Sequence, residues 1–144
     1  MLYIDIIRYP ETEALLRGGD EAWAREDVRR LDVRITTNRR QRLAYLRARA
    51  TLAEFDGETR EVIAYLQEAA MLANEIGLPG ELWQIEVALG EVYTSRGEME
   101  QAYQTFLRAI RIVQGLAEKM EDEELRTNFL AAPAVQRVLE LGRA

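Results

Sequence analysis

The sequence predicts an all-α chain built of antiparallel helical hairpins, and three observations carry that prediction. Over residues 98–117 the apolar side chains Ala102, Phe106, Ala109, Val113 and Leu116 step by 4, 3, 4 and 3, which paints one stripe along a helix. Forty residues earlier Val62, Leu66, Ala69, Ala73 and Ile76 repeat the same steps, and a second stripe matches at that offset, with Ile63, Ala70 and Leu72 answering to Tyr103, Ile110 and Ile112. The turns before the two stripes also agree. "DGE" at 56–58 stands opposite "RGE" at 96–98, each with a glycine able to take the left-handed conformation that ends a helix. The chain therefore contains an internal repeat.

Taken in order, residues 2–7 are an apolar run too short to tell helix from strand. "GGDEAWAREDVRRL" suggests a degenerate hairpin over 10–37, with Leu15 and Leu16 on its first helix and the second beginning near Asp20. A helix is expected from Arg39 to Phe55, returning as the 59–76 stripe, so that 39–76 forms one hairpin. In "GLPG", residues 77–80, Gly77 stops that helix and Pro79 is suited to open the next. Glu81 to Ser95 then pairs with the 98–117 stripe, so that 81–117 forms the second hairpin. "EDEELRTNFLAAP" reads as a short helix ended by Pro133 and "PAVQRVLELG" as a last amphipathic helix, the two covering 121–142 as a cap. Nothing resembles an interdomain linker, so one domain over 1–144 is expected. Gly90 lies inside a helix, where glycine costs about 1 kcal/mol against alanine, and a close approach of two backbones is the expected compensation.

Composition narrows the chemistry. With 144 residues, 48% apolar and 31% charged, the chain is long enough for a real core. Cysteine and histidine are absent, which removes disulfides, thiolate metal sites, the commonest general base and the commonest transition-metal ligand. Only one serine, Ser95, and one lysine, Lys119, remain for nucleophilic or P-loop chemistry. No catalysis and no cofactor are expected. The start, "MLYIDIIRY", has Asp5 within it and no basic leader, so it does not read as a signal peptide, and no run approaches a membrane span. A reducing, cytoplasmic setting is expected.

The net charge of −6 is unevenly spread. Residues 25–49 carry nine arginines against three acids, a net of +6, whereas residues 50–100 carry eleven acids against Arg60 and Arg96, a net of −9. The arginine cluster raises nucleic acid as a partner, but Arg29, Arg30, Arg34, Arg39, Arg40, Arg42, Arg47 and Arg49 scatter over several helix faces and no nucleic-acid motif accompanies them. A solvated surface, or docking of this basic end on an acidic middle, explains the pattern better. "EKMEDEEL" at 118–125 lacks the alternating ligands and the glycine of a calcium loop and reads as a helix start.

At this point the chain resembles the tetratricopeptide repeat family. With Trp83 as the first position of a 34-residue hairpin, Leu89, Gly90, Tyr93, Gly97, Ala102, Phe106 and Ala109 fall on seven of the family's positions. Glu86 departs where a tryptophan is usual, and Gln114 where a proline often closes the repeat. The copy at 43–76 keeps Leu46, Ala50, Gly57, Leu66 and Ala69, but has Arg49 for the leucine and Ala53 for the tyrosine. Residues 116–140 further resemble the closing segment of repeat arrays in large bacterial signalling proteins. The resemblance implies a right-handed solenoid, with Gly90 and Ala102 letting the paired helices approach and Ala109 admitting the next hairpin. It also implies a ligand groove lined by the first helix of each hairpin: Ala44, Arg47, Thr51, Glu54 and Phe55, then Gln84, Val87, Glu91, Thr94 and Ser95. Arg47 is the only cation in that set, so a C-terminal carboxylate is a poor ligand and a peptide or helix of basic or mixed character a better one. The expected partner is a protein, a peptide or a neighbouring domain. Trp23 and the apolar start, if uncovered, would form an end patch suited to a homodimer or to a domain edge.

Overall fold

The structure, a computed structural model, describes residues 38–142 together with Glu21, Ala22, Ala24 and Arg25. The apolar start at 2–7, Trp23, the arginines at 29, 30 and 34 and nearly all of the 10–37 hairpin lie outside the described residues. Six helices follow one another from Arg39, and no strand occurs among the described residues. The chain divides after Gly77 into two compact units, each taken separately below.

The first unit contains α1, Arg39–Phe55, and α2, Thr59–Ile76, packed along one another. Asn38 caps α1, its side-chain oxygen accepting from the backbone N–H of Arg40 at 3.0 Å and of Gln41 at 3.3 Å. At the far end Gly57 takes φ 75°. Its N–H donates to the Glu54 carbonyl, and the N–H of Glu58 donates to that of Ala53 at 2.8 Å, the paired bonds of a Schellman turn. The predicted stripe on α2 faces inward: Val62, Leu66, Ala69 and Ala73 are buried, against Leu43, Leu46, Ala50, Leu52 and Ala53 of α1 among the unit's buried side chains.

The separated charges of the sequence meet inside this unit. Folding α1 back on α2 brings Arg42 to Glu68 at 2.9 Å and Arg39 to Glu75 at 3.0 Å, while Arg25 holds Asp56 at 2.7 Å. All three pairs are exposed, and each contributes at most about 1 kcal/mol. Their significance is in register: a basic first helix and an acidic second one complement each other within a hairpin, which uses charge that had suggested docking between molecules.

The second unit contains α3, Pro79–Ser95; α4, Met99–Lys119; α5, Glu123–Ala131; and α6, Pro133–Leu141. Gly77 has φ 85° and Pro79 occupies the first turn of α3, as the sequence predicts. The turn into α4 repeats that of the first unit, with Gly97 at φ 77° and the N–H of Glu98 donating to the Tyr93 carbonyl at 2.9 Å. The acidic run caps α5, Asp122 accepting from the N–H groups of Glu124 and Leu125. Before Pro133 the chain is extended at Ala132, as the pyrrolidine ring requires, and α6 then packs against both α4 and α5 with Val135 and Val138 buried. Ala109 is fully buried on α4.

Gly90 receives a different compensation from the one expected. A Cβ built there would overlap the ring of Phe106, with Cδ1 and Cζ both 2.7 Å away, so the space is taken by an aromatic ring and not by the opposing backbone. At the same places in the first hairpin stand Ala50 and Leu66, a larger residue on the first helix and a smaller one on the second, all four positions buried. Gly90→Ala is therefore expected to be destabilised by about 1 kcal/mol in urea unfolding, the overpacking of about 1–3 kcal/mol outweighing the gain in helix propensity. Combining it with Phe106→Leu should cost less than the two single changes together, with a coupling of about 1 kcal/mol. Additive costs would mean that the ring does not rest on the glycine.

Glu86 is 8% exposed and accepts from Arg108 Nε at 2.7 Å across the α3–α4 contact. Arg108 Nη2 also donates to the Thr105 hydroxyl, which itself donates to the Gln101 carbonyl at 2.7 Å. Removing one partner strands a buried carboxylate, so Arg108→Met should cost about 1–3 kcal/mol, toward the lower figure because Arg108 is half exposed. Glu86→Leu with Arg108→Met should recover that loss in thermal unfolding.

Candidate ligand-binding face

On α1 the five expected ligand positions divide by burial. Ala44, Arg47 and Glu54 are half-buried, Phe55 is exposed at the helix end, and Thr51 is 4% exposed. Thr51 donates its hydroxyl to the Arg47 carbonyl at 3.0 Å, one turn back on the same helix. On α3 Gln84 and Glu91 are half-buried, Thr94 and Ser95 are exposed, and Val87 is 2% exposed. Thr94 and Ser95 donate to the carbonyls of Gly90 at 2.8 Å and Val92 at 2.7 Å. Thr51 and Val87 thus offer no surface to a ligand, and three hydroxyls are engaged by their own helices. The reason for Val87 lies in composition: α3 is apolar nearly all round, and Trp83, Ile85, Val87, Ala88, Leu89, Val92 and Tyr93 are all buried.

What remains polar on the α3 face is the Gln84 amide and the Glu91 carboxylate. Among the described residues no hydrogen bond or ion pair reaches that carboxylate. Burial pushes its pKa above the ordinary 4.5, and the charge of Arg137, on α6, acts in the opposite direction without cancelling the shift. The amphipathic pattern of 133–142 predicts α6, but not which residue of α3 its arginine would approach. That approach had no signal in the sequence.

The first unit contains a second cluster that residue patterns left unassigned. The Arg49 guanidinium lies over the rings of Tyr45 and Tyr65, 5.9 and 5.3 Å from their centroids. It donates to the Tyr65 hydroxyl from Nη2 at 2.8 Å and from Nε at 3.2 Å, and this hydrogen bonding holds its proton more firmly than usual. An arginine where the second repeat has Leu89 was the available hint. With Arg25, Arg39 and Arg42 paired to carboxylates, four arginines of the basic segment have partners within their own unit, which weighs against a phosphate-binding surface there.

Among the described residues no group of three or more His, Cys, Asp or Glu is placed to hold a metal ion, and no helix is long and apolar enough to cross a membrane. Compared with family models, with curated proteins and with solved structures, the chain matches none.

The Glu91 pKa fixes the sign of a pH effect. A carboxyl whose folded-state pKa is raised binds its proton more tightly in the native state, so its ionisation removes stability as pH rises through 4.5 and then through the higher folded value. Glu91→Gln should therefore be more stable than the parent at pH 7, with the advantage fading as pH falls through the raised folded value and gone below 4.5. Unfolding followed by circular dichroism between pH 3.5 and 7.5 measures this. An advantage that persists at the acid end would show that charge is not its cause.

Proposed function

We propose that this protein is an interaction scaffold of tetratricopeptide type, binding a peptide or helix along the first helices of its hairpins and serving a regulatory or sensory role in bacterial signalling. The observation that carries the reading is the repeated hairpin: two stripes forty residues apart, the same four inward positions in each, and the same left-handed glycine turn before each. Hairpins of this kind bury their apolar faces by stacking, and stacks of about three or more expose an extended binding surface. A right-handed solenoid is the arrangement proposed for the chain, and the cytoplasm its proposed location. No catalytic role is proposed, since the sequence supplies neither histidine nor cysteine and one serine, whose hydroxyl is engaged by its own helix.

The second reading is self-assembly. Met99 and Tyr103, one turn apart on α4 and 60% and 42% exposed, favour it. Light scattering across salt concentration separates the two. A scaffold of the first kind stays monomeric throughout, whereas an assembly through this apolar patch stays associated as salt rises and one held by charge dissociates.

Glu91→Lys is the direct test of the ligand face, because it reverses the charge in the C-terminal half of α3 at a half-buried position and not in the packed interior. Capture of the partner should be lost with circular dichroism unchanged. Intact capture by a folded Glu91→Lys chain would refute the assignment of this face.

A further inference from the structure

We infer that Glu91 is the anchor for a basic side chain, arginine or lysine, of the bound peptide, a step that rests on the reading of α3 as a ligand-bearing helix. Four other carboxylates on or beside the helices are paired. Glu68 and Glu75 meet arginines of α1, Glu98 meets Arg96, and Glu86, the most buried of them, meets Arg108 at 2.7 Å. Glu91 sits five residues after Glu86 on the same helix, half-buried, with neither hydrogen bond nor ion pair among the described residues.

Holding a carboxylate partly out of water without a donor costs stability, and glutamine would occupy the same volume without the charge. A cation arriving with the ligand offsets that cost. It also finds the carboxylate already partly desolvated and fixed on a rigid helix, so that less must be rearranged on binding. Neighbouring groups sharpen the choice. Val87, one turn back, is buried and apolar, and the Thr94 and Ser95 hydroxyls donate inward, so the carboxylate is the only charged group that α3 presents on this face. The peptide class is therefore basic. A free C-terminal carboxylate placed against Glu91 would be repelled.

Panning phage-displayed random 16-residue peptides on the full chain at pH 7 tests this, with hydrogen exchange locating the bound peptide. The expected result is protection of residues 81–95, enrichment of Arg or Lys in the selected peptides and a loss of affinity on the order of tenfold or more for Glu91→Gln. Glu118→Gln, which removes an exposed charge on α4, should leave affinity unchanged. Glu91→Gln is expected to fold, because it places a neutral group where burial disfavours charge. Peptides that protect α3 but show no basic preference, or bind Glu91→Gln equally well, overturn the anchor and leave the scaffold reading standing. Peptides that protect another surface, or a library that yields none, overturn both.

Discussion

The contact on which the second unit turns is the Phe106 ring lying against the bare backbone of Gly90. Two helices joined by a tight turn share one interface, and the separation of their axes follows from the side chains placed in it. A glycine on one helix creates a recess, and a large ring on the other fills it. Because interiors are packed to crystal-like density, neither residue is free to change volume independently. The first hairpin meets the same requirement with Ala50 and Leu66, moving volume from the second helix to the first. Conservation of summed volume, and not of residue type, is what the two repeats share.

Polar groups inside each hairpin obey a comparable rule. Each places one charged residue of its first helix where the other hairpin has a buried leucine, and each supplies a donor or acceptor from the second helix to meet it. In the first unit Arg49 is held by the hydroxyl of Tyr65 and by two aromatic faces. In the second Glu86 is held by Arg108, which leans on Thr105. The positions forty residues away from Arg49 and Glu86 are Leu89 and Leu46, both buried and apolar. A bond of this kind adds little net stability, but it fixes one relative placement of the helices, since any slip would leave a half-buried charge unmet. The two hairpins thus share a backbone plan while using different keys to set register.

Much of this was legible from residue order because it depends on local chemistry. The limits of α1 follow from Asn38 and from the Gly57 turn, those of α3 from Gly77, Pro79 and the Gly97 turn, and the break between α5 and α6 from Pro133. The inward stripes of α2 and α4 needed only a period near 3.6. The ligand face was read less well because burial of one residue depends on what packs over it. Val87 and Thr51 were expected, from the resemblance alone, to face a ligand, and both are buried. The approach of Arg137 to Glu91 joins residues 46 apart on helices that are not a hairpin pair, and periodicity carries no information about that. Phe106 on Gly90 lies between: the glycine announced that something must come close, but small size alone does not say whether a backbone or a ring will arrive.

Glu86 and Glu91 show how one helix separates structural charge from available charge. Both are carboxylates on α3, five residues apart and so on different sides of the helix. One is turned toward α4, where an arginine at i+22 meets it and the ion pair becomes part of the helix contact. The other is turned where no donor of the described residues binds it, yet far enough from water that burial raises its pKa despite a nearby arginine. A protein selected only for stability would gain from a neutral residue at the second position, since proteins tolerate such costs mainly where another molecule offsets them. The helix that is apolar nearly all round thus holds one carboxylate bound into the helix contact and another that no described donor meets.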